Sequence, residues 1–301
     1  MPLLSIFTPR VLGVVKAVGI LAALAALCVW LGRERASALL GWPLFAGLGL
    51  SWLSMVAYAL RFRAVMAAAG FTVGFVPSLR LLTLSVFVHF FVPMSVGAEM
   101  TKFLRLRALS PGRGNLAQAG ALALDHAVGF LALLAMTLGL LAWRDPLGFG
   151  RAWPLGLAAG LPLGGLLAAR VARGSARLGE RLQALRARLG QHKVSLSQGL
   201  AWSVAMHALL ASAVFVGARD TGIALAWPEL LLVLTSAGML QLLPVNVAGI
   251  GAGEVAGTGL YLALGLPMPD ALTLVSLLYC YRLAMAAVGG LWELVGGSAP
   301  R

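Results

Sequence analysis

The sequence predicts an all-α integral membrane protein, with about six full transmembrane helices and two opposed re-entrant helical hairpins that form an inverted repeat. Of its 301 residues, 60% are hydrophobic and only 11% are charged, a composition outside the range of soluble domains. Two apolar runs are broken in the same way by proline and glycine, and each break ends in glutamate. Most basic residues lie in short gaps between apolar runs, as in cytoplasmic loops.

The first half contains two spans, a broken pair of helices and a third span. A crossing needs about 20 apolar residues. The first apolar run has features of a cleaved secretory signal, but the membrane sequence that follows favours an uncleaved span. The predicted segments are the spans 11–31 and 38–60, the apolar run 81–92, the helix 99–109 and the span 116–143. Residues 61–80 are expected to connect the second span to the broken pair.

The second half repeats this order after a basic loop. Its segments are the span 152–169, the loop at about 170–198, the span 199–217, the apolar run 228–242, the helix 254–266 and the span 270–295. We therefore predict one polytopic membrane domain, 1–301, built from repeats at about 11–143 and 152–295. Re-entry of both hairpins makes the two halves opposite in topology.

The two breaks suit a transporter because lipid cannot satisfy the backbone groups that a broken helix leaves free. A paired set of breaks, one in each half, points to a binding site. The residues that make the breaks are Pro93 and Gly97 in the first and Pro244, Asn246, Gly251 and Gly253 in the second. Ordinary interfacial turns are the alternative. The recurring terminal glutamate favours the transporter interpretation.

The basic loop from Arg170 to Lys193 carries six arginines and one lysine against one glutamate. Its leucines recur every three or four residues, which predicts an amphipathic helix on the inner membrane surface with anionic inner-leaflet lipids as partners. A plain topology signal is the alternative. With re-entrant hairpins, this loop and the other basic segments all face the cytoplasm. We thus expect a multi-pass protein of the bacterial inner membrane with both termini cytoplasmic.

Ionisable residues predicted to lie deep within the membrane each cost about 2.5–3.5 kcal/mol and need a partner or a purpose. Arg282 sits near the middle of the last span, with Glu254, Glu99 and Asp125 as candidate partners. Asp125 lies about 13 Å into its span and needs protonation or a cation. A purely structural ion pair is the alternative for Arg282.

Glu99, Lys102 and Arg105 share one helix face directly after the first break. A helix N-terminus with basic side chains suits a phosphate group. The alternative is that Lys102 and Arg105 are topology charges near the cytoplasmic boundary. His89, His126 and His207 are weaker candidates, since a lone histidine in a span is usually a packing residue, and His207 is left out of the predicted site.

Enzyme chemistry and nucleic-acid binding are not expected. The glycine-rich stretch 249–253 lacks the preceding strand and following lysine of a nucleotide loop. No zinc motif or nucleophile elbow occurs, and Cys28 and Cys280 lack metal or disulfide spacing. The net charge of +13 is spread over membrane loops instead of a nucleic-acid patch. We therefore predict no cofactor and no metal.

Five stretches resemble a known family. They are Pro93 to Arg107 with Ala123 to His126, Leu243 to Glu254, and Tyr281-Arg282 with Gly289-Gly290. They are similar to the flippase-like transmembrane region of lysylphosphatidylglycerol synthases and their stand-alone relatives. The resemblance covers nearly the whole chain, and the chain is expected to be a stand-alone member without the aminoacyl-transferase domain. Lys102 and His126 stand where the family commonly has arginine.

The resemblance implies movement of a lipid with a charged or glycosylated head group, such as an aminoacyl-phospholipid or a polyprenyl phosphate, between leaflets. Glu99, Asp125, Glu254 and Arg282 match the polar positions of the family. We expect Glu99 and Glu254 to gate or carry protons, Arg282 to hold phosphate and Asp125 to complete the network. The alternatives are a subunit that presents a lipid to a partner enzyme and, third, a membrane transferase. A second copy of the chain, in a homo-oligomer, is a further candidate partner.

Overall fold

A computed structural model describes residues 41–91, 96–144, 190–241, 246–247 and 250–295, together with the single positions 148, 150, 154 and 156. The eight helices within these ranges are α1 (Trp42–Ala68), α2 (Phe75–Phe91), α3 (Val96–Leu109), α4 (Asn115–Arg144), α5 (Lys193–Gly217), α6 (Trp227–Leu240), α7 (Ala252–Ala263) and α8 (Met268–Val295). A 3-10 turn, Arg219–Thr221, follows α5. Between α6 and α7, the two-residue strands β1 (Asn246–Val247) and β2 (Ile250–Gly251) pair antiparallel.

Four helical segments are long and apolar enough to cross a membrane: Trp42–Ala68, Asn115–Arg144, Lys193–Thr221 and Met268–Glu293. The helices α2 and α6 are apolar but shorter. This confirms the prediction of a helical, multi-pass membrane protein. The predicted spans 11–31 and 152–169, most of the basic loop, and the break residues Pro93 and Pro244 lie outside the described residues.

The described helices occur twice in the same order: long, short, short, long. In each half, the last long helix packs against the first short helix of the other half, α8 on α2 and α4 on α6. The most extensive contact joins α1 to α5, the first described long helix of each half. The two halves are therefore interleaved. The short helices of each half pack against each other, and we call α2 with α3 the first hairpin and α6 with α7 the second.

The predicted end of the second span is wrong, and the reason is electrostatic. The predicted connection 61–80 is also too long, because α2 already begins at Phe75. The second span was expected to end at residue 60, with Arg61 and Arg63 in the connecting segment. Instead α1 continues to Ala68, and Arg61 is buried inside the bundle, 6% exposed. A buried arginine is tolerated because a carboxylate on another helix compensates its charge. The end of the basic loop also differs, since residues 193–198 form the first turns of α5.

Small residues set how closely the helices approach. Gly289 of α8 lies against the backbone of Thr83 in α2, and a Cβ atom at Gly289 would collide with the Thr83 carbonyl oxygen. Gly290 lies against the ring of Phe87 in the same way. Close contact at glycine is a common basis of helix packing in membranes. This contact holds the last helix of the second half against the hairpin of the first.

We expect Gly289→Ala to destabilise the protein by about 1–3 kcal/mol, because neither helix backbone can move aside without repacking. Gly139→Ala is the matched control, since nothing lies within 4 Å of a Cβ atom at that helical glycine. Unfolding of both purified variants in mixed detergent micelles measures the difference. Equal stability of the two variants would contradict the close contact of α2 with α8.

Candidate functional site

A cavity of about 320 Å³ lies between helices of the two halves. Its lining combines apolar side chains with an unusual concentration of polar ones for a membrane interior. The polar lining residues are Ser54, Tyr58, Arg61, Ser85, His89, Glu99, Lys102, His126, His207, Gln241 and Arg282. They come from both hairpins and from the long helices, so the cavity exists only because the two halves pack together.

At the second hairpin, three side chains form one hydrogen-bonded cluster. Arg282 donates from Nη1 to Glu254 Oε1 at 2.6 Å and from Nη2 to Gln241 Oε1 at 3.2 Å. Gln241 Nε2 in turn donates to Glu254 Oε1 at 3.3 Å. The cluster joins the residue after α6, the first turn of α7 and the middle of α8. It connects the two arms of the hairpin to the final helix.

Local sequence explains how this cluster forms. Glu254 is the third residue of α7, where its Oε2 accepts the Gly251 backbone N–H at 2.8 Å and satisfies a free donor of the helix end. Gly253 leaves room for Gln241, because a Cβ atom at Gly253 would collide with the Gln241 side chain. The Gly-x-Gly-Glu order at positions 251–254 therefore serves both the cap and the close approach.

At the first hairpin, Glu99 is held by a lysine and a histidine side chain. Its Oε1 lies 2.7 Å from Lys102 Nζ, and its Oε2 lies 2.8 Å from His126 Nε2. Lys102 also donates to the Tyr58 hydroxyl at 3.3 Å and is itself buried. Glu99 and His126 are 27 residues apart, and Glu254 and Arg282 are 28 apart. In each pair, a glutamate at the start of the second short helix, α3 or α7, contacts a basic side chain on the long helix that follows, α4 or α8. The two pairs therefore occupy equivalent positions in the two halves.

A third ion pair lies at the cavity wall, where Arg61 lines the cavity and Asp125 stands behind it. Arg61 Nη2 lies 2.7 Å from Asp125 Oδ2, and Arg61 Nε donates to Asp125 Oδ1 at 3.1 Å. The two side chains are only 7% and 2% exposed. Gly129, one turn along α4, leaves space for the guanidinium. Asp125 is therefore neutralised by a cation, one of the two outcomes that the sequence predicted.

The structure pairs Arg282 with Glu254, one of the three carboxylates considered for it. Asp125 and Glu99 have other partners. Arg105 does not line the cavity, although it follows Lys102 on the same helix. It contacts Glu293 on α8, which also lies 3.5 Å from Arg80, and all three side chains are about one-third exposed. The predicted group of Glu99, Lys102 and Arg105 is thus divided between the cavity and the surface near the end of α8.

Sequence reasoning missed several lining residues. Arg61 was assigned to a loop, and Gln241 was not considered, although it is the last polar residue before the second break. His207 was left out, yet it lines the cavity. Its Nδ1 lies 2.7 Å from the Ser203 carbonyl oxygen, so Nδ1 carries the proton and Nε2 is the free acceptor. Among the described residues, no group of three His, Cys, Asp or Glu side chains could hold a metal ion.

Residues 12–290 of the chain match a protein-family model described as "Lysylphosphatidylglycerol synthase TM region". The match includes both breaks and every residue of the three ion pairs described above. A search of curated proteins finds no match.

Proposed function

Because the chain belongs to the lysylphosphatidylglycerol synthase TM-region family, we propose that it is a flippase-type transporter that moves a lipid with a charged or glycosylated head group between leaflets. The observation that carries the proposal is the cavity, about 320 Å³ in volume, lined by Arg61, Lys102 and Arg282 inside an apolar helical bundle. A charged head group meets a high free-energy barrier in hydrocarbon. A polar cavity lowers this barrier while the lipid chains remain in the bilayer.

In this proposal, the two broken pairs, α2 with α3 and α6 with α7, are re-entrant hairpins that enter from opposite faces. About six full crossings surround them, and both termini face the cytoplasm of a bacterial inner membrane. The reciprocal packing of α8 on α2 and α4 on α6 supports such a repeat. Alternating access then requires one hairpin to move relative to the other around a shared site.

The ion pairs would act as gates that the head group opens. The pair of Glu254 and Arg282 joins the second hairpin to α8. The pair of Glu99 and His126 joins the first hairpin to α4. A head-group phosphate that takes up N–H donors of Arg282 would loosen its bond to Glu254. Both carboxylates are already bonded to basic side chains, Glu99 to Lys102 and Glu254 to Arg282, which supports a gating role for them.

Filling the cavity tests the proposal without removing any charge. We expect Met206→Trp to slow the movement of fluorescent phospholipids in reconstituted vesicles about 10-fold or more, because Met206 lines the cavity. Val204→Trp is the control, since Val204 lies on the same helix, is outside the cavity lining and is 44% exposed. The proposal would be overturned if lipids, with or without a charged head group, moved between leaflets no faster in vesicles that contain the protein than in protein-free vesicles.

A further inference from the structure

The carboxylates of the site have no oxygen without a donor. Glu99 uses one oxygen for Lys102 and the other for His126. Asp125 uses both for Arg61. The Oε1 atom of Glu254 accepts from Arg282 and Gln241, and its Oε2 atom accepts a backbone N–H. A ligand ammonium group would therefore have to share a carboxylate oxygen with an internal donor.

The cationic side chains have hydrogen-bonding capacity left over. An arginine carries five N–H donors and a lysine three. Among the described residues, acceptors are present for two donors of Arg282 and two of Lys102. Arg61 bonds through Nε and Nη2, while its Nη1 lies beside Gly129 at the cavity wall. The basic side chains of the site therefore have N–H donors left for a ligand acceptor.

The charges are also placed unevenly with respect to the cavity. Arg61, Lys102 and Arg282 line it, whereas Asp125 and Glu254 stand behind their partners and do not. Glu99 is the one carboxylate among the described lining residues. Among the described lining residues, a head group in the cavity therefore meets three cationic side chains and one carboxylate that is already paired.

We infer that the cavity is selective for a lipid whose head group is a phosphate anion, and that it discriminates against a head group carrying a primary ammonium. A phosphate offers acceptor oxygens to the spare N–H donors of Arg61, Lys102 and Arg282, and such charge-assisted bonds are strong. Among the described lining residues, an ammonium group faces three basic side chains, and the one carboxylate there, Glu99, is already bonded to Lys102 and His126. This inference rests on the proposed function, in which a lipid head group occupies this cavity.

Binding of two short-chain lipids to the purified full chain tests the selectivity. Dioctanoyl phosphatidylglycerol and its lysyl ester share the phosphodiester and the acyl chains, and only the ester carries ammonium groups. We expect at least about 10-fold tighter binding of the unmodified lipid, by titration in a neutral detergent. Equal or tighter binding of the lysyl ester, or no binding of either lipid, would overturn the inference.

Two variants identify the groups responsible. Lys102→Met is expected to weaken phosphatidylglycerol binding about 10-fold or more, whereas Lys193→Met, at an exposed position outside the cavity, leaves it unchanged. His126→Leu leaves one oxygen of Glu99 without its histidine partner. It should bring the two affinities closer together by favouring the lysyl ester. An unchanged ratio of affinities in His126→Leu would contradict the role assigned to the paired carboxylate.

Binding and transport separate this inference from the proposed function. Selective binding of phosphatidylglycerol with no lipid movement in vesicles would support the selectivity and refute transport. Faster movement of the lysyl ester than of phosphatidylglycerol would support transport and refute the selectivity.

Discussion

Replacing Asp125 with alanine is expected to lower the free energy of unfolding by about 3–5 kcal/mol, because it leaves the Arg61 guanidinium buried without a counter-charge. Both side chains are almost fully enclosed, and Asp125 provides Arg61 with two carboxylate oxygens and a backbone carbonyl. In a membrane interior, little water is present to hydrate Arg61 in place of Asp125. Reversible unfolding in mixed micelles of detergent and dodecyl sulfate would give the value.

The double variant Arg61→Met/Asp125→Leu tests the reason for that loss. Removing both charges eliminates the uncompensated cation, so most of the lost stability should return. Glu293→Gln is the matched control at a solvent-accessible ion pair. Its partners Arg80 and Arg105 are about one-third exposed, and the expected change is below about 1 kcal/mol. If Asp125→Ala were as stable as the parent protein, the buried ion pair of Arg61 and Asp125 would be refuted.

Replacing Arg282 with alanine is expected to slow lipid movement on the order of 100-fold, because it removes both the phosphate donor and the connection between α8 and the second hairpin. Arg282→Lys keeps the charge but cannot bond Glu254 and Gln241 together with one planar group, so its rate should be intermediate. Glu254→Gln keeps the shape of the side chain and removes the counter-charge. We expect a loss of at least 10-fold for Glu254→Gln.

Arg105→Ala is the control for these transport measurements. Arg105 contacts Glu293 outside the cavity, so its removal should change the rate by no more than about threefold. Fluorescent lipids in vesicles, with folding checked by thermal unfolding, give all four rates. If Arg282→Ala and Glu254→Gln remain folded and move lipid as fast as the parent, the ion pair is not part of the transport path.

The helices could be predicted closely where their signal is local. The predicted span 116–143 became Asn115–Arg144, and the predicted span 270–295 became Met268–Val295. Apolar length and the breaks at proline and glycine determine these limits, and both are read directly along the chain. The prediction failed at the end of α1, where a charge was taken as a boundary. Its compensating carboxylate lies 64 residues away.

The residues of the candidate site also divide into those that the sequence identifies and those that it does not. Arg282 was recognised because a cation in the middle of a span demands a partner, and Glu254 was recognised because it closes a break. Gln241 and His207 carry no charge requirement, so hydropathy gave no reason to select them. Arg105 follows Lys102 by one helical turn, yet it reaches Glu293 on another helix. Helical spacing specifies a shared face but not which neighbouring helix each side chain contacts.

The sequence by itself determined that this is a helical membrane protein with two broken helix pairs, since composition and backbone chemistry leave few other ways to place such segments in lipid. Only the tertiary structure decided which charges pair, which of them line the cavity and which stand behind it. The ion pairs join helices within each half, and the cavity forms where the two halves pack together. The free energy of a buried charge is set by the groups around it in space, and residues adjacent along the chain are only some of them.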